Sequence, residues 1–224
     1  MQLPTSPDAD KFLTISNAIQ KERLFRYMPA AENILESALR YYIWNCRLCE
    51  GFHPVLHYSE ILCRNSFNRA LIKRAGEQWY LNNTFRGILD DRNRDQLSSA
   101  ISEEAKQHRD KMTAHHVVSA LTFGFWDHLA TKRFERFIWA KGIQAIFPNA
   151  PKTKTREDAH LLIESVRRWR NRIAHHRAIF DRGPTKKHGE ALQLIEWVCP
   201  DTKAWVASIS DIPAILQCRP TTKV

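Results

Sequence analysis

Residues 167–176 read Arg-Arg-Trp-Arg-Asn-Arg-Ile-Ala-His-His, four arginines and two histidines within ten positions. Arginine offers a planar fork of donors that matches phosphate oxygens. Histidine titrates near neutral pH and moves a proton in either direction. Together they are also the chemistry of phosphodiester cleavage. The same residues have a plainer reading, because cations near a helix C-terminus interact well with its dipole. Residue type alone leaves both readings open. Helical geometry adds a constraint: at about 100° per residue, Arg168, Asn171 and His175 share one side, while Arg170 lies about 140° from His175. One straight helix does not focus Arg170 and His175 on one point. Either the helix ends near Ala174, or a second copy of the chain completes the site.

Three other constellations are weaker. Glu60 and Arg64 stand i,i+4 in the favourable order, which predicts a simple helix ion pair; with Asn65 they could instead support a polar site. His115 and His116 are adjacent and diverge on a helix, so they chelate poorly. Cys46, Cys49, His53 and His57 step by 3, 4 and 4, a stripe of four possible zinc ligands on one rod. A tetrahedral ion needs ligands from separate turns or elements. No metal and no cofactor is expected. Lys152, Lys154 and Arg156 precede the motif helix and join Arg167, Arg168 and Arg172 as candidate phosphate contacts.

The string Arg170-Asn171-Arg172-Ile173-Ala174-His175 resembles the R-x(4–6)-H motif of HEPN ribonucleases. The longer run RNRIAHHRAIF, residues 170–180, resembles the Abi-like (abortive infection) family of bacterial HEPN proteins. Family members typically continue after the His pair with Glu-Pro, whereas this chain has Arg177-Ala178. The resemblance extends to Glu22–Tyr27, to ALRYYIWN (38–45), and to Glu60-Ile61-Leu62-Cys63-Arg64-Asn65, similar to an E-x-x-x-R-N helix. It continues through Leu121–Trp126, Phe147-Pro148, Trp197–Trp205 and Pro213–Leu216, covering roughly residues 14–220. The family pattern requires no cysteine at 46 or 49.

The resemblance implies an all-α, HEPN-type helical bundle with additional short helices. It implies a metal-independent endoribonuclease used in phage defence or as a toxin, with RNA as partner, a homodimer and a possible antitoxin protein. Arg170, Asn171 and His175 would be catalytic, with Glu60, Arg64, Asn65 and His176 supporting. The alternative is a non-cleaving RNA- or nucleotide-binding module.

The elements that must position these residues read as helices throughout. Apolar residues recur at three- and four-residue steps over 31–49. Pro54 is expected to open a new helix that stops at Gly76. Residues 77–93 read as a connection carrying an aromatic pair, and 94–109 as an exposed or mobile helix. Thr113 is expected to cap a helix reaching Ala130, followed by another over 132–146. Thr155 and Asp158 form a capping-box variant that opens the most regular helix, 156–174. Its stripe of Ala159, Leu162, Val166, Trp169 and Ile173 is expected to pack on the helix of residues 54–75. Short helices follow over 188–198 and 202–209, the second capped by Asp201, with a last turn at 212–216. A tail over 1–13 and one unit over 14–220 are expected.

Composition agrees with this reading. Lys and Arg number 34 against 24 Asp and Glu, a net charge of +10, which suggests a polyanionic partner. Only seven glycines argue against sandwiches, barrels and Gly-rich nucleotide folds. No apolar run is long enough for a membrane span. The opening MQLPTSPDADK lacks the cationic start and apolar stretch of a secretory signal. Five cysteines form no disulfide framework in a chain this long, so a reducing, cytoplasmic setting is expected.

Overall fold

The computed structural model describes residues 7–221, and every regular element among them is helical. Eleven α-helices follow in order: α1 (Ala9–Ile19), α2 (Lys21–Leu24), α3 (Leu35–Ala75), α4 (Asn83–Ile88), α5 (Asp91–His108), α6 (Ala114–Ala120), α7 (Phe123–His128), α8 (Arg156–Ala174), α9 (Pro184–Val198), α10 (Pro200–Ser208) and α11 (Ile212–Gln217). The protein is all-α, as its periodicity predicts. α1 begins within the stretch expected as a tail, whose first six residues lie outside the described ones. No helix among the described residues is long and apolar enough to cross a membrane.

The spine is α3, 41 residues and so about 60 Å long. Pro54 does not open a new helix; it sits inside this one. Its ring removes one backbone hydrogen bond at a cost of about 3 kcal/mol. The offset lies on the other side of the rod. Tyr41, Trp44, Leu48, Phe52, Val55, Ser59, Cys63 and Phe67 form one unbroken buried stripe past the proline, which itself faces solvent. Ending the helix at residue 53 would break that stripe in two. Gly76, with φ +83°, then stops α3 where expected. A second glycine, Gly51, gives room for a close approach: a Cβ there would lie 2.7 Å from the Cδ1 of Ile215 on α11, which would have to shift.

Two central helices depart from expectation. The segment from Thr113 breaks at Leu121-Thr122, whose ψ values of 136° and 161° are extended, giving α6 and α7 in place of one helix to Ala130. Residues 132–146 form two short 3-10 turns, Lys132–Phe134 and Ile143–Ala145, joined by irregular turns, rather than an α-helix. Their apolar residues come in runs, Phe137-Ile138-Trp139 and Ile146-Phe147, and all five are buried. A helix would place such a run around its whole circumference; an irregular turn turns it inward. The aromatic pair of the 77–93 connection, Trp79 and Tyr80, is fully in the core.

α8 forms as predicted. The Thr155 backbone N–H donates to Asp158 Oδ2 at 2.9 Å, and the Asp158 N–H donates back to Thr155 Oγ1 at 3.3 Å. Ala159, Leu162, Val166 and Trp169 are buried and Ile173 is partly buried. The stripe meets α7 and α9 as well as α3, and Trp169 packs edge-on against Phe52, just before the expected 54–75 segment. The later helices start earlier than expected. Proline takes the first helical position in both α9 and α10, so the cap of α10 falls to Cys199 and not to Asp201.

The cap of α8 carries a pH prediction. A hydrogen bond from Lys154, followed by the Thr155 backbone and hydroxyl, holds the Asp158 carboxyl down at about 2. A depressed carboxyl stabilises the fold above its unfolded value near 4 and loses that contribution as pH falls through the folded value. Amide exchange in the first turn of α8 should therefore accelerate between about pH 4 and pH 2. Asp158→Asn should abolish the acceleration within that window.

Candidate functional site

The C-terminal end of α8 presents two separate depressions, one on each flank of Trp169 and Ile173. The larger is a groove of about 630 Å³. Arg168, Asn171, Arg172 and His175 line it, joined by Arg177, Arg182 and Lys187 from the following segment and α9. The smaller, about 230 Å³, is lined by His53, Leu56, His57, Glu60, Arg170, Ile173 and Ala174. The two share no residue. Within one chain, then, Arg170 and His175 face different hollows, as the helical angle predicts.

The segment after the motif is held firmly. The N–H of His176 donates to Ile173 O at 2.9 Å, and that of Arg177 to Arg172 O at 2.9 Å. This pair of bonds is a Schellman motif, with His175 as C-cap and His176 in the left-handed position at φ +53°. Buried Asn45 on α3 accepts from the backbone N–H groups of Ile179 (2.8 Å) and Phe180 (3.2 Å). Arg172 Nε donates to Ala178 O at 2.7 Å, Arg23 donates to His176 O at 2.8 Å, and Arg26 pairs with Asp181. Three elements thus fix the turn that aims His175. The hydrophobic pattern of residues 38–45 hid the anchoring role of Asn45.

His176 therefore has a backbone task. A left-handed conformation costs a non-glycine residue about 1–2 kcal/mol, and glycine meets it freely. His176→Gly is expected to raise stability by about 1 kcal/mol, measured by urea denaturation.

Glu60 does not pair with Arg64. Its Oε2 lies 3.3 Å from Arg170 Nε, so the carboxylate positions the motif arginine across the α3–α8 junction. Arg64 points its Nε into the protein without a hydrogen-bond partner among the described residues, and Asn65 is half-buried beside it. Neither reaches the pocket of Arg170 or the groove of His175.

The six cations expected at phosphates do not form one face. Arg168 and Arg172 line the groove, although Arg168 also meets Glu164 at 2.7 Å. Arg167 turns the other way and binds Asp127 Oδ2 at 2.7 Å. Lys154 pairs with Asp158 at 2.9 Å, and Arg156 donates to Ala130 O at 2.7 Å. Both sit at the far end of α8, with Lys152 beside them, about 25 Å from the motif by helical rise. Sequence reading missed Arg177, Arg182 and Lys187, which complete the groove. The net charge was the one signal for them, since they lie on a loop and another helix.

Comparison with family models, curated proteins and solved structures gives no match. The reading of the site rests on its own geometry. The Cys46-Cys49-His53-His57 stripe divides in the fold. Cys46 and Cys49 sit by Tyr27 and Tyr42, where burial raises both thiols, Cys49 to about 12. His53 and His57 sit instead in the Arg170 pocket. Among the described residues no group of three or more His, Cys, Asp or Glu is placed to hold a metal ion. His116 caps α6 by accepting from the Thr113 N–H at 3.0 Å and stacks on His108 at 3.8 Å.

Proposed function

We propose that the protein is a metal-independent endoribonuclease of the HEPN, Abi-like type, acting in phage defence or as a toxin. The observation that carries this reading is the basic groove: five cationic side chains from α8, the following turn and α9 surround His175 and Asn171. A polyanion fits such a groove. The imidazole supplies proton transfer to a bound phosphodiester, and Asn171 orients it. Arg170, held by Glu60 on the other flank, stabilises charge on the phosphorane when a second chain brings its own groove against it. The attacking 2′-OH would yield a 2′,3′-cyclic phosphate and a 5′-OH.

The separation of Arg170 from His175 favours a second reading for the single chain, a module that binds RNA without cleaving it. One experiment addresses both. Pure protein is incubated with mixed cellular RNA, with and without EDTA, and the ends are analysed. Cleavage that persists in EDTA with cyclic phosphate ends supports the ribonuclease; binding without cleavage supports the module. In either case affinity should fall on the order of 50-fold from 50 to 200 mM salt, the result of about four single-strand phosphate contacts. Affinity that is flat with salt would make the groove a merely solvated face.

A further inference from the structure

Cleavage by 2′-OH attack moves two protons. One group removes the proton from the 2′ oxygen, and another delivers a proton to the departing 5′ oxygen. His175 fills one of these roles in the ribonuclease reading, and the R-x4-H motif contains no second imidazole facing the phosphate from the Arg170 side. The fold supplies one there. His53 and His57 lie i,i+4 on α3 and so project from one face. Their rings are nearly parallel, 12° apart, with centroids separated by 6.2 Å. Tyr58 packs edge-on against His57 at 5.5 Å and restricts its ring. Both imidazoles are exposed, and neither has a hydrogen-bond partner among the described residues.

The pocket that holds them also holds Arg170 and Glu60. Glu60 follows His57 by three residues and engages Arg170 through Nε, which leaves the terminal guanidinium nitrogens for phosphate oxygens. An imidazole, a guanidinium and a carboxylate that orients the guanidinium thus surround a space of about 230 Å³, enough for a phosphate and part of a ribose.

We infer that His57 is the proton donor to the departing 5′ oxygen, working from the Arg170 pocket opposite His175. This rests on the ribonuclease reading above. In the step, the 2′ oxygen forms a bond to phosphorus as its proton passes to neutral His175. The bond from phosphorus to the 5′ oxygen breaks, and protonated His57 gives that oxygen its proton. One proton enters and one leaves, so no co-reactant is needed. His53, stacked on His57, is a positioning residue.

The test uses a short RNA of defined sequence and a second substrate whose scissile 5′ oxygen is replaced by sulfur. A thiolate leaves without protonation, so loss of the general acid matters little for it. His57→Ala and His57→Gln should each slow cleavage of the normal RNA by about 10²–10⁴ while binding is unchanged. Both should cleave the sulfur substrate at nearly the wild-type rate. His175→Ala should be slow on both, and His53→Ala should lose far less than His57→Ala. If wild type cleaves, His175→Ala fails and His57→Ala cleaves normal RNA at near wild-type rate, the assignment of His57 is overturned and the ribonuclease reading survives. A defect in His57→Ala that the sulfur substrate does not relieve overturns it equally. If wild type cleaves neither substrate, the ribonuclease reading falls and the inference with it.

Discussion

Alanine at Arg170 or at His175 is expected to lower RNA cleavage by about 10²–10⁴, with little loss of RNA affinity. Affinity persists because Arg168, Arg172, Arg177, Arg182 and Lys187 remain in the groove. Folding persists because both replaced side chains lie at the surface, outside the buried core. The sharper result comes from mixing. Arg170 and His175 occupy hollows that share no residue, so a single chain does not bring them together. In a two-fold dimer each composite site draws Arg170 from one chain and His175 from the other. Two dead variants mixed in equal amounts give heterodimers as about half of all dimers, each with one intact site of two, so about a quarter of wild-type activity should return. No recovery, with subunit exchange shown by light scattering or labelled chains, would place both residues in one chain's site. A cleaving monomer would do the same. His175→Ala cleaving at the wild-type rate would move the chemistry off this motif altogether.

Much of the fold is legible because helical periodicity is a local property. α8 is the clearest instance: its capping box, its stripe and its end at Ala174 are all written in consecutive residues. The angle between Arg170 and His175 follows from the same periodicity, and it correctly separates them. What escapes is decided by distant partners. Pro54 carries a strong local signal for a helix start, yet the stripe from Tyr41 to Phe67 outweighs one lost backbone bond. The 3-10 turns of 132–146 take their form from the burial of Phe134, Trp139 and Phe147. Glu60 has a suitable partner four residues on, but Arg170 from another helix claims it. Cations on α8 look equivalent in sequence. Their roles differ because a 100° turn separates Arg167 from Arg168, and Asp127 happens to wait on the first side.

That pair gives the largest expected effect on stability. Asp127 is buried, with its Oδ2 bound to Arg167 Nε at 2.7 Å. Its Oδ1 has no hydrogen bond among the described residues; His160 Nε2 is 4.0 Å away. Burial raises the Asp127 carboxyl, and Arg167 is the chief influence pulling it back. Arg167→Ala removes that partner and leaves a buried carboxylate with one distant imidazole. Breaking a buried pair in this way costs about 3 kcal/mol. For a chain of this size that corresponds to a fall in Tm of roughly 6–12 °C. The sign of the pH dependence follows from the same shift. A carboxyl raised in the folded state binds more protons there than in the unfolded state, so stability grows as pH falls through its range. The deficit of Arg167→Ala should therefore shrink as pH falls and Asp127 takes up its proton, because a neutral carboxyl needs no cation. Adding Asp127→Asn to Arg167→Ala should restore part of the lost stability at neutral pH. RNA affinity per folded molecule should stay at the wild-type level, since Arg167 does not line the groove. An Arg167→Ala protein that keeps its Tm but loses RNA affinity would reverse the assignment, making this arginine a phosphate contact.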